Sequence, residues 1–139
     1  MNFLPMTEEE IRSANLIPEG IYNFEVMSAE DKTSAKGNEM IELQLKVWDN
    51  IGKEHNIKDW LMGIPGMMYK LKHFCEVTGI LGQYENGIVT SLSCTGKTGK
   101  LHLMIQKDKT GKYPDKNSVK DYEMEKKPEE NILNDDIPF

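Results

Sequence analysis

The sequence predicts a mainly β domain of five strands, with one α-helix between the third and the fourth. Three observations carry that expectation. Three consecutive stretches alternate apolar and polar residues with a period of two, the next stretch switches to helical spacing, and two more strand-like stretches close the domain.

In the first stretch, "GIYNFEVMSAED", Tyr22, Phe24 and Val26 share one face, and Asn23, Glu25 and Met27 share the other. "KTSAKGN" (32–38) reads as a polar loop that turns at Gly37-Asn38. "EMIELQLKVWDN" sends Ile41, Leu43, Leu45 and Val47 inward and Met40, Glu42, Gln44, Lys46 and Trp48 outward. After a turn at "NIG" (50–52), "KEHNIKDWLM" sends Ile57 and Leu61 inward and Asn56, Lys58, Trp60 and Met62 outward. Connections this short make the three strands an antiparallel meander. "IPGMMYKLKHFCEVTGIL" then places Met67 or Met68, Leu71, Phe74, Cys75 and Thr78 at helical spacing, with Pro65 suited to the start and Gly79 to the end. A loop through "GQYENG" leads to "GKLHLMIQKD", a strand with Leu101, Leu103 and Ile105 inward, and "KTGK" turns the chain into "YPDKNSVKDYEM". Pro114 confines regular pairing to the later part of that fifth strand. Three meander strands, a helix and two further strands follow the plan of the OB-fold, a partly open five-stranded Greek-key barrel.

The chain of 139 residues and 15.9 kDa suits one domain with a modest core. Its expected divisions are an N-terminal arm (1–19), the barrel (20–122) and an acidic C-terminal tail (123–139). No apolar run approaches the ~20 residues that cross a bilayer. The N-terminus has neither the basic start nor the apolar segment of a signal peptide, so a cytoplasmic, membrane-free protein is expected. Cys75 and Cys94 lack CxxC spacing and read as thiols, Cys75 on the helix core face and Cys94 in a loop.

Net charge −6 argues against a nucleic-acid partner until its distribution is read. Residues 121–139 carry a net −5 and residues 1–19 a net −3, which leaves a mildly basic body. Within it, residues 97–120 hold seven lysines against Asp108 and Asp115. OB-folds bind oligonucleotides or oligosaccharides on strands 2 and 3 and on the loops that follow strands 1 and 4. Gln44, Lys46 and Trp48 point outward from the second strand, and Lys58 and Trp60 from the third. Lys32 and Lys36 fall in the first loop, Lys107, Lys109 and Lys112 in the last hairpin, and Tyr113 just after it. Cations that offset phosphate charge, interleaved with rings that stack on unpaired bases, are what single strands require. Lysine supplies sixteen of seventeen cations, which favours backbone tracking over bidentate base reading. Weak sequence preference and strong salt dependence should follow.

The tail poses a separate question. Residues 123–134 are too polar to fold alone, yet the chain ends in Asp135, Asp136, Ile137, Pro138 and Phe139. An apolar tip with a free carboxylate, preceded by acids, suits capture by a basic-rimmed pocket on a partner protein. It also suits folding back over the chain's own basic groove.

Other motifs fall short. "SCTGKTGK" has Ser91 where a phosphate loop needs glycine, and a strand follows it. His55, His73 and His102 show no zinc-ligand spacing with the cysteines, so no metal or cofactor is expected. "PD" at 114–115 with "EKK" at 125–127 imitates a metal-dependent nuclease set, but such carboxylates need rigid strands.

"DDIPF" resembles the acidic C-terminal tip through which bacterial single-stranded-DNA-binding proteins recruit replication, recombination and repair enzymes. The body, through "GIYNFEVMSAEDKTSAKGNEMIELQLKVWDN", "MMYKLKHFCEVTGI" and "GKYPDKNSVKDY", resembles small phage and mobile-element OB-fold single-strand binders over roughly residues 16–122. The resemblance implies partner binding by Asp135 to Phe139, with a shorter linker than bacterial housekeeping members carry. The expected function is therefore non-enzymatic. The chain coats single-stranded DNA in a bacterial host during phage or mobile-element replication or recombination, and recruits a nuclease, recombinase or helicase. Self-association as a homodimer or tetramer would extend the short footprint of one OB module. The rival expectations are a protein-binding adaptor or inhibitor and, third, the nuclease.

Overall fold

The computed structural model describes residues 1–124. It is mainly β, with β1 (Gly20–Thr33), β2 (Glu39–Trp48), β3 (Glu54–Met62), β4 (Thr98–Gln106) and β5 (Lys116–Glu123) in one antiparallel sheet of order β3-β2-β1-β4-β5. Helix α1 (Glu8–Ser13) precedes the sheet, and α2 (Met68–Thr78), α3 (Leu81–Glu85) and α4 (Ser91–Cys94) lie between β3 and β4.

β1 holds the sheet together because it pairs on both sides. Residues Asn23 to Thr33 face β2, and Gly20 to Glu25 face β4. A bulge between Val26 and Ser28 lets one long strand serve both partners, since a bulge bends its strand and increases local twist. The curl brings the two edge strands together. Tyr122 of β5 donates its hydroxyl to Asp59 Oδ2 of β3 at 2.7 Å, although β3 and β5 share no ladder.

The alternation read from the sequence accounts for the core. Phe24, Val26, Leu43, Leu45, Val47, Leu101 and Leu103 are buried. α2 covers this surface with Phe74 and Cys75, and Tyr122 packs edge-on against Phe24 and Phe74 with ring centroids 5.3 and 5.0 Å away. Close approach between α2 and β4 depends on Gly99, where a side chain would run into Val77 and Phe24. α2 ends at Gly79, whose left-handed φ of 81° suits a residue without Cβ, and Ile80 N donates back to Cys75 O at 2.8 Å.

Several expectations need correction. Lys32 lies in β1, not in a loop, because the β1–β2 ladder continues to Thr33↔Glu39. The "GQYENG" loop is largely α3. Cys94 is not a loop thiol: it ends α4 and is fully buried, and burial pushes its thiol pKa up to about 12 and that of Cys75 to about 11. The N-terminal arm contains α1, started by a reciprocal capping box in which Glu10 N donates to Thr7 Oγ1 (3.1 Å) and Thr7 N to Glu10 Oε1 (2.8 Å). More than one helix therefore accompanies the sheet. Among the described residues no helix is long and apolar enough to cross a membrane.

Candidate nucleic-acid interface

The outward residues of β2 and β3 form one surface because their register pairs like faces: Glu42↔Trp60, Gln44↔Lys58, Lys46↔Asn56 and Trp48↔Glu54. Trp48 and Trp60 thus share a face but sit near opposite ends of the ribbon, about 20 Å apart at ~3.3 Å per residue. Trp60 is 38% exposed. Its indole Nε1 donates to Glu42 Oε2 at 3.0 Å, and Gln44 Nε2 donates to Glu42 Oε1 at 3.3 Å. Glu42, read from the sequence only as an outward residue, therefore fixes both neighbours. Acids also engage two of the expected cations: Lys46 pairs with Glu54 at 3.4 Å, and Lys32 with Glu30 at 3.2 Å. Lys58 and Lys120 have no ion-pair partner among the described residues.

Those two lysines flank a groove of about 600 Å³ at the seam between β3 and β5. β3 contributes Lys58, Trp60 and Met62, the first turn of α2 contributes Tyr69 and Lys70, and Met67 lies just before that helix. β4 adds Met104 and Gln106, and β5 adds Ser118 and Lys120. Tyr69 is 48% exposed, so the groove presents a phenol as well as an indole. The hairpin carrying Lys107, Lys109, Lys112 and Tyr113 leaves directly from Gln106, and all four of these side chains are exposed. Asp108 organises that hairpin, accepting from Thr110 Oγ1 (2.6 Å) and Tyr113 N (3.1 Å). The Thr110 bond, followed by that from Tyr113, holds its carboxyl below the usual range.

The groove floor is a buried polar cluster that periodicity did not reveal. Lys70 Nζ donates to Asp59 Oδ1 at 2.6 Å and to Val119 O at 2.9 Å. Burial pushes the Asp59 carboxyl up, and the Lys70 ammonium and the Tyr122 hydroxyl work against that shift. Burial, followed by the neighbouring Asp59 carboxylate, raises the Tyr122 phenol well above its ordinary value. These residues satisfy one another and act as structure, a tie between β3, α2 and β5. A lysine at a helical core position is the sequence signal for them, since a buried ammonium demands a carboxylate nearby.

A second cavity, of about 700 Å³, lies between the β1–β2 hairpin, α2 and α3. Its charged lining is Asp31, Glu39 and Glu85 against Lys32. That balance repels phosphate and leaves the β3–β5 groove as the better candidate. The groove gathers Lys58 and Trp60 and adjoins the hairpin residues Lys107 to Tyr113. Gln44 and Lys46 share the ribbon surface that leads to it. Trp48 lies at the far end, and Lys36 stands exposed in the β1–β2 turn. Sequence reading missed Tyr69, Gln106, Ser118 and Lys120.

Asp115, half of the nuclease-like set, accepts a hydrogen bond from Asp108 N at 3.2 Å. Residues 125–127 lie outside the described residues, as do Asp135, Asp136, Ile137, Pro138 and Phe139. Among the described residues no cluster of three or more His, Cys, Asp or Glu side chains is arranged to hold a metal ion.

A family model matches residues 6–126, from the arm through the whole sheet. The chain belongs to the family described as "Protein of unknown function (DUF669)". That family is phage-associated. A comparison with curated proteins finds no match. The matched span contains every residue of the groove and stops short of the last residues, 127–139.

Proposed function

We propose that this chain is a single-stranded-DNA-binding protein whose curled sheet is an OB-type barrel, with the β3–β5 groove and the adjoining β2–β3 face as its binding surface. One observation carries the reading: Trp60 and Tyr69, both substantially exposed, line the same groove as Lys58 and Lys120, cations without an ion-pair partner among the described residues. Rings stack on bases at roughly 1–3 kcal/mol each, and ammonium groups track phosphates without reading sequence. The hydrogen bond that the Tyr122 hydroxyl donates to Asp59 Oδ2 supports the barrel reading, since it ties together the two strands that an OB-fold brings side by side. The chain acts without catalysis, coating exposed strands in phage or mobile-element replication or recombination inside a bacterial cell. Self-association lengthens the track, and the tip Asp135 to Phe139 recruits a nuclease, recombinase or helicase.

The deciding experiment is an anisotropy titration with labelled oligo-dT at increasing salt. Binding at low salt that weakens linearly in log–log form supports the reading. No binding at micromolar protein ends it.

One observation favours a second reading. Met40, Met62, Met67 and Met104 all line the groove, and methionine-rich walls adapt to varied apolar partners. A protein-binding adaptor would use the same groove and would be insensitive to oligonucleotide competition.

A further inference from the structure

We infer that the β4–β5 side of the groove is a subsite for one unpaired nucleobase, read at its edge by Ser118 and Gln106; this rests on the reading of the groove as a single-strand track. The other buried polar side chains of the lining, and its indole, are already engaged. Asp59 and Lys70 satisfy each other, and the Trp60 indole donates to Glu42. The Ser118 hydroxyl oxygen is the exception: it is buried and has no hydrogen-bond partner among the described residues. Leaving such a group unmatched costs free energy, and because its residue lines an open groove, a χ1 rotation that turns the hydroxyl outward lets a ligand atom complete the set.

The surroundings define that ligand. Ser118 pairs with Met104 across the β4–β5 ladder, and Gln106 is the next outward residue along β4. A hydroxyl and a carboxamide therefore stand diagonally across the ladder on one face, about 7–8 Å apart between backbones, and each can both donate and accept. Thioethers of Met62 and Met104 and the rings of Trp60 and Tyr69 supply polarizable apolar contact to a flat group. Lys58 and Lys120 at the rim place positive charge beside it. A planar ring with a hydrogen-bonding edge, carried on an anionic chain, satisfies all of these features together. Because Ser118 and Gln106 can reverse their roles, the subsite grades the bases rather than selecting one absolutely. Coating is thus nearly sequence-neutral along the strand and base-sensitive at this position.

The test is an anisotropy titration of the full chain against dT, dC and dA homopolymers of about 16 nucleotides. Wild type is expected to spread these affinities by roughly threefold or more. Ser118→Ala and, separately, Gln106→Ala should weaken the best homopolymer roughly three- to tenfold and collapse the spread, with the salt slope unchanged. Lys58→Ala should instead weaken all three alike and reduce the slope by about one. Homopolymer affinities that are equal in wild type overturn the subsite. So does a spread that survives both substitutions, and in either case single-strand binding itself still stands. Wild type that binds no homopolymer at low salt overturns the subsite and the underlying reading together. If Ser118→Ala lowers the melting temperature, Gln106→Ala, at an exposed position, carries the comparison.

Discussion

Lys70 of α2 and Asp59 of β3 form a 2.6 Å ion pair whose side chains are only 8% and 6% exposed. With Tyr122 and the Val119 carbonyl, the pair ties both edge strands to the helix beneath the candidate groove. A buried pair of this kind contributes little net stability over an apolar replacement, but it is costly to break from one side.

Asp59→Leu and Lys70→Met should therefore each destabilise the fold by about 3–5 kcal/mol, because each leaves one buried charge without its partner. The double variant should recover part of the combined loss, though Tyr122 and Val119 O also lose a partner. Urea unfolding of the four proteins gives the coupling energy. Strictly additive losses would show that the two charges do not compensate each other.

Gly99→Ala should cost roughly 1–3 kcal/mol by overpacking. The added Cβ falls well inside contact with Val77 Cγ1 and lies 3.2 Å from Phe24 Cε2. Val77→Ala introduced beside it should return much of the loss, read as a rise in Tm. A second substitution that only adds damage would place the conflict elsewhere than at Val77.

Trp60→Ala should weaken oligo-dT binding by about 1–3 kcal/mol, the range for one stacked base. Trp48→Ala should weaken it less, because that indole stands about 20 Å along the ribbon from the groove. Since these are the chain's two tryptophans, Trp48→Phe isolates the Trp60 signal. Its fluorescence should quench on titration with single strands, whereas an unresponsive Trp60 would remove it from the binding surface.

Asp49 makes the β2–β3 turn acid-sensitive. Its Oδ1 accepts from Ile51 N (3.0 Å) and Lys53 N (2.8 Å), and Oδ2 bonds the His55 imidazole at 2.9 Å. The His55 bond is the largest cause of the lowered carboxyl pKa, and the two backbone bonds add to it. A carboxyl lowered in the folded state stabilises it above the unfolded pKa of about 3.9 and loses that contribution as pH falls through the folded value. Melting temperature should thus drop below about pH 4, and Asp49→Ala should shallow that drop while lowering Tm near neutrality. An unchanged acid limb would mean that other carboxyls govern it.

Period-two alternation made the strands legible, because one buried face per strand leaves little freedom in register. Ile41, Leu43, Leu45 and Val47 lie inward as read, and Gly79 ends α2 as its lack of Cβ allows. Short helices were not legible. α3 and α4 span few residues and carry no sustained apolar period, and α1 rests on its capping box. The candidate site was legible only where it follows strand parity, as at Lys58 and Trp60. Tyr69, Ser118 and Lys120 enter through the curl of the sheet, which brings β5 and α2 beside β3, and no local pattern encodes that meeting. Lys46 and Lys32 show the reverse problem: their charge is legible, but their engagement by Glu54 and Glu30 depends on pairing and side-chain reach.

The tie between β3 and β5 has a mechanical consequence. Laddered strands are held at a spacing near 4.8 Å by their backbones, whereas here the join runs through a lysine stem and a phenol. Such a fastening tolerates small changes of width without unzipping any ladder. The cleft above it can accordingly change its width slightly, while the sheet on either side keeps its register.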